Sequence, residues 1–344
     1  MKVLRLLPSD APQAVRWDAF VHASPQATFF HRAGWQRVLS DVLRHETHFL
    51  YAEEAGRIEG VLPLAHVKSL LFGQSLVGLP FAVYGGAAAT NPAAAEALEQ
   101  AAQALARRLG VAHLELRNVA PRHADWPVQD LYVTFRKAIL PDEQANLLAI
   151  PRKQRAMVRK GIANGLRSEL DAGVDRFFAL YADNAHRHGT PCLPKRYFAA
   201  LRREFGADCD VQTVTDSAGR PLSSVMSFYF RDEVLPYYAG DAEAARELAA
   251  NDFKYWELMR RSCARGVRVF DYGRSKRGSG SFAFKKNWGF EPQPLHYEYC
   301  LYKRDAVPQN NPSNAKYRLL IQTWRRMPAG MVNWLGPMVV RGLG

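Results

Sequence analysis

Apolar positions recur along this chain in two rhythms, and the switches between them outline its elements. Alternation and short runs of β-branched or aromatic residues predict strands at 1–7, 48–52 and 60–68. Between the first two, residues 31–43 carry Trp35, Val38, Leu39 and Val42 at spacings of 3, 1 and 3, which puts one apolar stripe on a helix. A second helix is predicted at 92–109: Asn91 can cap it, Pro92 suits its first position, alanines fill it and Gly110 ends it. Residues 111–117 return as a strand. The order strand, helix, strands, helix, strand calls for a mixed α/β sheet covered by helices.

The second half repeats that order. Helices are expected at 174–184, 195–205 and 247–265, and strands at 211–215, 223–230, 233–239 and 267–272. Leu248, Tyr255, Met259 and Cys263 mark the expected buried face of the long helix, a packing stripe. Joining the halves, residues 151–165 read as a helix that stops at Asn164-Gly165. At 344 residues the chain exceeds what one core supports, so the expected organisation is 1–150, a basic inter-domain helix at 151–170, a second domain at 171–304 and a tail at 305–344. The halves share element order and no visible residue repeat.

Charge narrows the class of partner. Forty-six Lys and Arg against 33 Asp and Glu leave +13, which favours nucleic acid, nucleotide-linked substrates or an anionic membrane face. The tail adds a basic amphipathic stretch at 315–327 with Tyr317, Leu320, Ile321 and Trp324. Such a helix docks on its own protein or lies in a membrane interface with Trp324, Trp334 and Arg325-Arg326 at headgroup depth, a peripheral contact at the inner face of the cytoplasmic membrane. Cys192, Cys209, Cys263 and Cys300 lie 17, 54 and 37 residues apart with no C-x-x-C pair, so single thiols of a reducing compartment are expected, without zinc or disulfides. No stretch approaches the length of a membrane span and the N-terminal apolar run is too short for a signal peptide, so a cytoplasmic protein is expected.

Candidate chemistry concentrates in 268–290. The strand there ends in Asp271; Gly273, Gly278 and Gly280 free the backbone; Arg274, Lys276 and Arg277 add charge. Such a loop can curl amides and guanidinium groups round an anion, or it is a mobile basic surface loop. Arg152, Arg155 and Arg159 fall at i, i+3 and i+7 with Lys153 and Lys160 beside them, and no acid follows until Glu169. That stripe reads as an anion-binding face or a solvated linker. Asp271 and Tyr238 are candidates for a general base should the chemistry need one; Tyr238 alternatively orients substrate. His186 and His188, at a helix end, are candidates for substrate contact or ordinary surface histidines.

In Phe270-Asp271-Tyr272-Gly273 followed by Phe284-Lys285-x-x-Trp288-Gly289-Phe290, the chain resembles the Fem family of nonribosomal peptidyltransferases. Residues 152–165 are similar to that family's basic stretch between domains, and Trp35 with Tyr84-Gly85-Gly86 to its first domain. Residues 272–299 look like the Fem-related proteins of exosortase and exopolysaccharide clusters. The resemblance covers residues 1–303. It implies an α/β (α+β) fold of two tandem Gcn5-related N-acetyltransferase-like domains, with mixed sheets flanked by helices. It also implies an acyl or aminoacyl transferase acting on an amine or hydroxyl of an anionic envelope or exopolysaccharide precursor. Lys285 matches the family's lysine near the reacting ester, where a cation stabilises the oxyanion. Arg152, Arg155 and Arg159 would hold phosphates of an acceptor or of tRNA; Trp35, Tyr84, Gly85, Gly86, His188, Arg274 and Lys286 complete the expected substrate contacts.

No bound cofactor or metal is expected; the acyl donor is a co-substrate, aminoacyl-tRNA or acyl-CoA. The family's lysine after the first-domain Trp is replaced by Arg37, and its tRNA-gripping helical hairpin is missing. Acetyl-CoA enzymes of the fold read [QR]-x-x-G-x-[GA] before the corresponding helix, whereas residues 240–251 carry three acids and no glycine after Gly240. Rival readings from other classes are an acyl-CoA-dependent N-acyltransferase, an RNA-binding module without chemistry and a membrane-peripheral assembly protein.

Overall fold

Capping and alternation build two sheets of eight strands each among the described residues, which in this computed structural model are 1–69, 73–308 and 315–342. The first unit comprises Met1–Asp130, Leu295–Asn310 and Val339–Gly344. It runs β1 (Lys2–Leu6), α1 (Ala11–Ala23), α2 (Gly34–Arg37), β2 (Glu46–Glu54), β3 (Arg57–Ser69), β4 (Gly73–Gly78), β5 (Ala88–Ala89), α3 (Pro92–Leu109), β6 (His113–Asn118) and β7 (Val128–Gln129). In α3 the Asn91 carboxamide accepts from Ala94 N at 2.9 Å and Gly110 closes the helix at φ 63°, as the sequence predicts. Leu98, Ala102 and Ala106 on that helix are buried with Leu62, Leu64 and Leu114 of the sheet. The helix expected at 31–43 is a 3-10 turn, α2 and a π turn in succession. Helix α1 was not predicted, because only Trp17 and Val21 supply its large buried apolar side chains.

The second unit comprises Leu131–Pro294 and Asn311–Met338. Its elements are β8 (Tyr132–Ala138), α4 (Glu143–Ala149), α5 (Arg152–Ala163), β9 (Arg167–Leu170), α6 (Asp175–His188), α7 (Lys195–Phe205), β10 (Cys209–Thr215), β11 (Pro221–Phe230), β12 (Glu233–Asp241), α8 (Ala250–Ala264), β13 (Val269–Asp271), β14 (Ser275–Lys276), α9 (Gly280–Asn287) and β15 (Pro292–Pro294). The chain then supplies β16 (His296–Leu301) to the first sheet and ends in α10 (Ala315–Arg326) and α11 (Ala329–Arg341).

The sheets therefore divide elsewhere than at the expected boundaries of 150 and 304. β8 pairs antiparallel with β13, Ala138 opposite Val269, and so lies in the second sheet. β16 pairs antiparallel with β6, Cys300 opposite Leu114, and lies in the first. Each sheet has one parallel pair, β4 with β6 and β12 with β13, bridged by a covering helix, α3 or α8. Helix α8 buries Phe253, Trp256, Leu258 and Met259, while the expected stripe residues Leu248, Tyr255 and Cys263 are only half-buried. The reason is that α8 packs on β10 and β11 on one side and on α5 on the other, which leaves little of it facing water.

Within the tail, α10 docks on the second unit. Helix α10 lies on α6, with His186 Nε2 3.0 Å from Met327 O and Arg325 Nη2 donating to His188 O at 3.4 Å. The side chains of Tyr317 and Leu320 lie outside the described residues. No two of the four cysteines are joined in a disulfide among the described residues; Cys192 and Cys209 are buried and the others half-buried.

Close approach of α5 and α8 depends on Gly161, where a Cβ would sit 2.7 Å from Phe253 Cβ. Gly161→Leu is expected to destabilise the fold by roughly 1–3 kcal/mol or more, read as a lower melting temperature. Gly280→Ala, which meets nothing within 4 Å, should change it by less than about 0.5 kcal/mol. Equal effects would contradict this packing.

Candidate active site

Strand β13 ends in Asp271, and the chain turns at once through Tyr272, Gly273 and Arg274, with Gly273 at φ 63°. Two buried side chains hold that turn from opposite sides. Asp271 Oδ1 accepts from Gly273 N at 2.7 Å and from Thr134 Oγ1 at 3.3 Å, and its Oδ2 lies 3.3 Å from Arg136 Nε. Lys285 Nζ donates to the carbonyls of Tyr272 at 2.7 Å, Gly273 at 3.0 Å and Arg274 at 3.2 Å. The lysine faces inward from α9 with only 8% of its surface exposed, whereas Lys286 beside it faces solvent. The rest of the motif explains the geometry. Gly289 at φ 78° closes α9, and Trp288 and Phe290 are driven into the core with Phe270 and Tyr272. Trp288 Nε1 donates to Asp252 Oδ1 at 2.9 Å.

Burial pushes the Lys285 ammonium down to about 7, with the Asp271 charge opposing and that of Arg274 assisting. Its three donors are all taken by carbonyls. The expected oxyanion contact of Lys285 is therefore not displayed; the residue braces the turn on which such a contact would be built. Asp271, the first candidate base, is fully buried, with an amide, a hydroxyl and a guanidinium on its two oxygens, and in this position it braces the turn a second time. Tyr238, the other candidate base, is half-buried on β12. Burial, then the neighbouring Tyr197, Tyr237 and Tyr181, push its phenol well above the usual tyrosine value, and its hydroxyl is 3.0 Å from that of Tyr197.

Tyr238 does lie where the sheet opens. The parallel ladder joins only Glu233 to Val269 and Val234 to Phe270. Two residues on stands Pro236, which has no N–H to continue a ladder, and the register against β11 then slips between Met226 and Ser227. The extra residue of that bulge is Tyr237, a position that leaves backbone groups free of the ladder. On α8, Lys254 is completely buried, its Nζ 2.9 Å from Asp241 Oδ1, which also accepts from Ser223 Oγ. This Lys254–Asp241–Ser223 cluster, and Arg136 and Thr134 from β8, carried no signal in the sequence reading. Spacing cannot reveal partners that approach from separate strands.

Arg152 and Arg159 are exposed on α5, Arg155 is half-buried and donates to Leu148 O at 3.2 Å, and none of the three makes an ion pair among the described residues. The half-buried Arg274 lies over the Tyr132 ring at 4.6 Å. His188 is exposed on the last turn of α6, where its carbonyl takes Arg325. Before α8, Ala249 offers no side-chain cap, and Asp252 occupies the first turn. A carboxylate there competes with any phosphate for the helix amides.

Four first-unit residues expected to contact substrate sit in densely packed surroundings. Trp35 is fully buried and donates Nε1 to Phe29 O at 3.2 Å; Tyr84 is buried, its ring 6.1 Å from that of Phe30. Gly85 N and Gly86 N both donate to Arg117 O, at 3.0 and 3.1 Å. A Cβ on Gly85 would be 2.1 Å from Gly78 O, and one on Gly86 1.9 Å from Asn118 Oδ1. These glycines let the chain fill the split between β4 and β6, so the first unit's split is closed by its own backbone.

A family model described as an acetyltransferase (GNAT) domain matches residues 151–286. Over 133 residues the chain is 26% identical to the UDP-N-acetylmuramoylpentapeptide-lysine N(6)-alanyltransferase of Weissella viridescens, a stretch of 37% of this chain and 39% of that protein. The match thus spans well under half of that relative. A solved structure of FemX superposes with a TM-score of 0.67 at 14% identity, over 88% of this chain and 98% of that one. The C-terminal domain of a putative lysylphosphatidylglycerol synthetase from Agrobacterium fabrum gives 0.57 at 14%, over 91% and 96%. A tandem GNAT protein from the clavulanic acid biosynthesis pathway gives 0.54 at 12%, over 89% and 99%. The fold is accordingly two tandem GNAT-like domains, mixed sheets flanked by helices.

Because the folded pKa of Lys285 lies below its unfolded value, the folded state gives up a proton first, and stability should rise with pH between about 7 and roughly 10.5. Lys285→Met should remove that rise, read as the difference in melting temperature between the two proteins across the range. Parallel curves would contradict a buried, titrating ammonium.

Proposed function

We propose that the chain is an acyltransferase that moves an acyl or aminoacyl group from an activated ester onto an amine or hydroxyl of an anionic envelope precursor. The observation that carries this reading is the divergence of β12 from β13 at Pro236 and the bulge at Tyr237, next to a turn braced by Asp271 and Lys285. Free backbone amides at such a bulge can polarise an acyl carbonyl. The acceptor's lone pair attacks the carbonyl carbon, the new C–N or C–O bond forms as the donor's ester C–O bond breaks, and the proton lost by the acceptor goes to the leaving hydroxyl. Lys285 and Asp271 act as positioning residues for the turn. Tyr238, held protonated by burial, can donate a hydrogen bond to the substrate.

The donor best supported is aminoacyl-tRNA. The unpaired face of Arg152 and Arg159 suits phosphates, while Asp252 in the first turn of α8 works against the pyrophosphate of acyl-CoA. The acceptor class follows from the Fem-type likeness: the Weissella relative is named for action on a UDP-N-acetylmuramoylpentapeptide, and residues 272–299 look like the Fem-related proteins of exosortase and exopolysaccharide clusters. Attachment to the inner membrane surface is supported by α11, where Met331, Trp334 and Met338 lie at i, i+3 and i+7, each about half or more exposed.

Melting followed by tryptophan fluorescence tests the donor. Charged tRNA should raise the melting temperature more than a matched polyanion does, and Arg152→Gln with Arg159→Gln should remove the difference. A shift with acetyl-CoA alone would overturn the tRNA assignment. In sedimentation with anionic vesicles, Trp334→Ala with Met331→Ala should release bound protein; equal binding would remove the membrane attachment.

A further inference from the structure

Beside β3 in the first unit lies a cavity of about 160 Å³ lined by Arg44, His45, Glu46, His66, Lys68 and Arg341. The transferase reading uses none of these residues. Three are cations. The one carboxylate, Glu46, is shared: its Oε2 is 3.8 Å from Lys68 Nζ and 3.7 Å from His66 Nδ1, and its Oε1 is 3.3 Å from His48 Nε2. Arg44 and Arg341 make no ion pair among the described residues. The cavity thus sets three cations against one carboxylate.

Its floor is polar as well. His45 and His66 are 5% and 4% exposed, and His45 Nε2 and His66 Nδ1 are buried without a hydrogen-bond partner. Unpaired buried nitrogens cost free energy unless a ligand or water meets them. Burial and then the Arg341 charge push the His45 imidazole down to about 4, so it is neutral near pH 7. The backbone adds a further sign. Arg44 sits at φ 59°, a left-handed conformation that favours glycine, so the chain holds a guanidinium at the rim where a smaller residue would relieve strain. At about 30 Å³ per water the volume takes roughly five waters, enough for a tetrahedral oxyanion and its hydration.

We propose that this cavity binds a phosphate group. Arg44, Arg341 and Lys68 supply the charge-assisted hydrogen bonds, and the bare imidazole nitrogens of His45 and His66 accept from a hydrogen phosphate hydroxyl or a bridging water. Free phosphate, a soluble phosphomonoester and a lipid phosphate share that chemistry. The site stands independently of the transferase reading, since its residues come from the ends of β2 and β3 and from the last turn of α11.

Calorimetric titration of the full chain with potassium phosphate, against potassium chloride at equal ionic strength, tests it. Saturable binding is expected with phosphate only. Arg44→Gly and Arg341→Gln should each weaken it about tenfold or more, and Glu46→Gln should tighten it. Arg44→Gly also relieves the backbone, so a melting temperature no lower than that of the parent separates lost binding from lost folding. Glycerol 3-phosphate displacing phosphate would identify a soluble phosphomonoester. Binding only to vesicles containing phosphatidic acid, weakened by the same two substitutions, would identify a lipid phosphate. Binding by none of these probes, or binding indifferent to Arg44→Gly and Arg341→Gln, would overturn the proposal.

Discussion

One buried ammonium sets the shape of the candidate site. Three successive carbonyls at the end of β13 point to the same side of the chain, and only a donor with three hydrogens, brought in by α9, satisfies them together. Removing a charge from water is costly unless hydrogen bonds answer it. The cost shows in the Lys285 ammonium, which burial pushes down to about 7, and the gain is one donor shared by three carbonyls. Asp271 secures the amide side of the same turn, and Arg136 of β8 lies against that carboxylate. Strand, turn and helix are thus tied by charge as well as by the aromatic core of Phe270, Tyr272, Trp288 and Phe290.

The two units answer the same topological problem differently. A parallel pair bridged by a helix diverges where its ladder ends. In the first unit the divergence is filled by residues 79–86, whose Gly85 approaches Gly78 of β4 and whose Gly86 approaches Asn118 of β6 too closely for any side chain. Buried Arg117 secures that filling by donating to Leu79 O and Ala82 O. In the second unit Pro236 and the Tyr237 bulge end the ladder, and the braced turn follows on the partner strand. The chemistry proposed for this chain therefore belongs to the second unit, which is also where the acetyltransferase family model matches.

Local signals were legible in the sequence and remote ones were not. Asn91, Pro92 and Gly110 fix α3 because caps act within one turn of the chain. Helices α5 and α7 and strands β10 to β12 also followed from local periodicity. The placement of β8 and β16 did not, since Ala138 meets Val269 and His113 meets Leu301, partners that no local pattern can specify. Within the site, Asp271 and Lys285 were legible as a motif, but their roles as braces depend on carbonyl directions that a motif does not encode. Trp35 and Tyr84-Gly85-Gly86 show the converse: aromatic and glycine residues that suggest ligand contact also serve dense packing.

The central claim is that this fold performs acyl transfer, and transfer itself is the direct observable. Aminoacyl-tRNA labelled in its amino acid would be incubated with the protein and a bacterial extract of envelope precursors, with labelled acyl-CoA in parallel. The account predicts protein-dependent loss of label from the tRNA ester and its appearance in a new acylated product. Decay of both donors at the protein-free rate, with no labelled product, would contradict it.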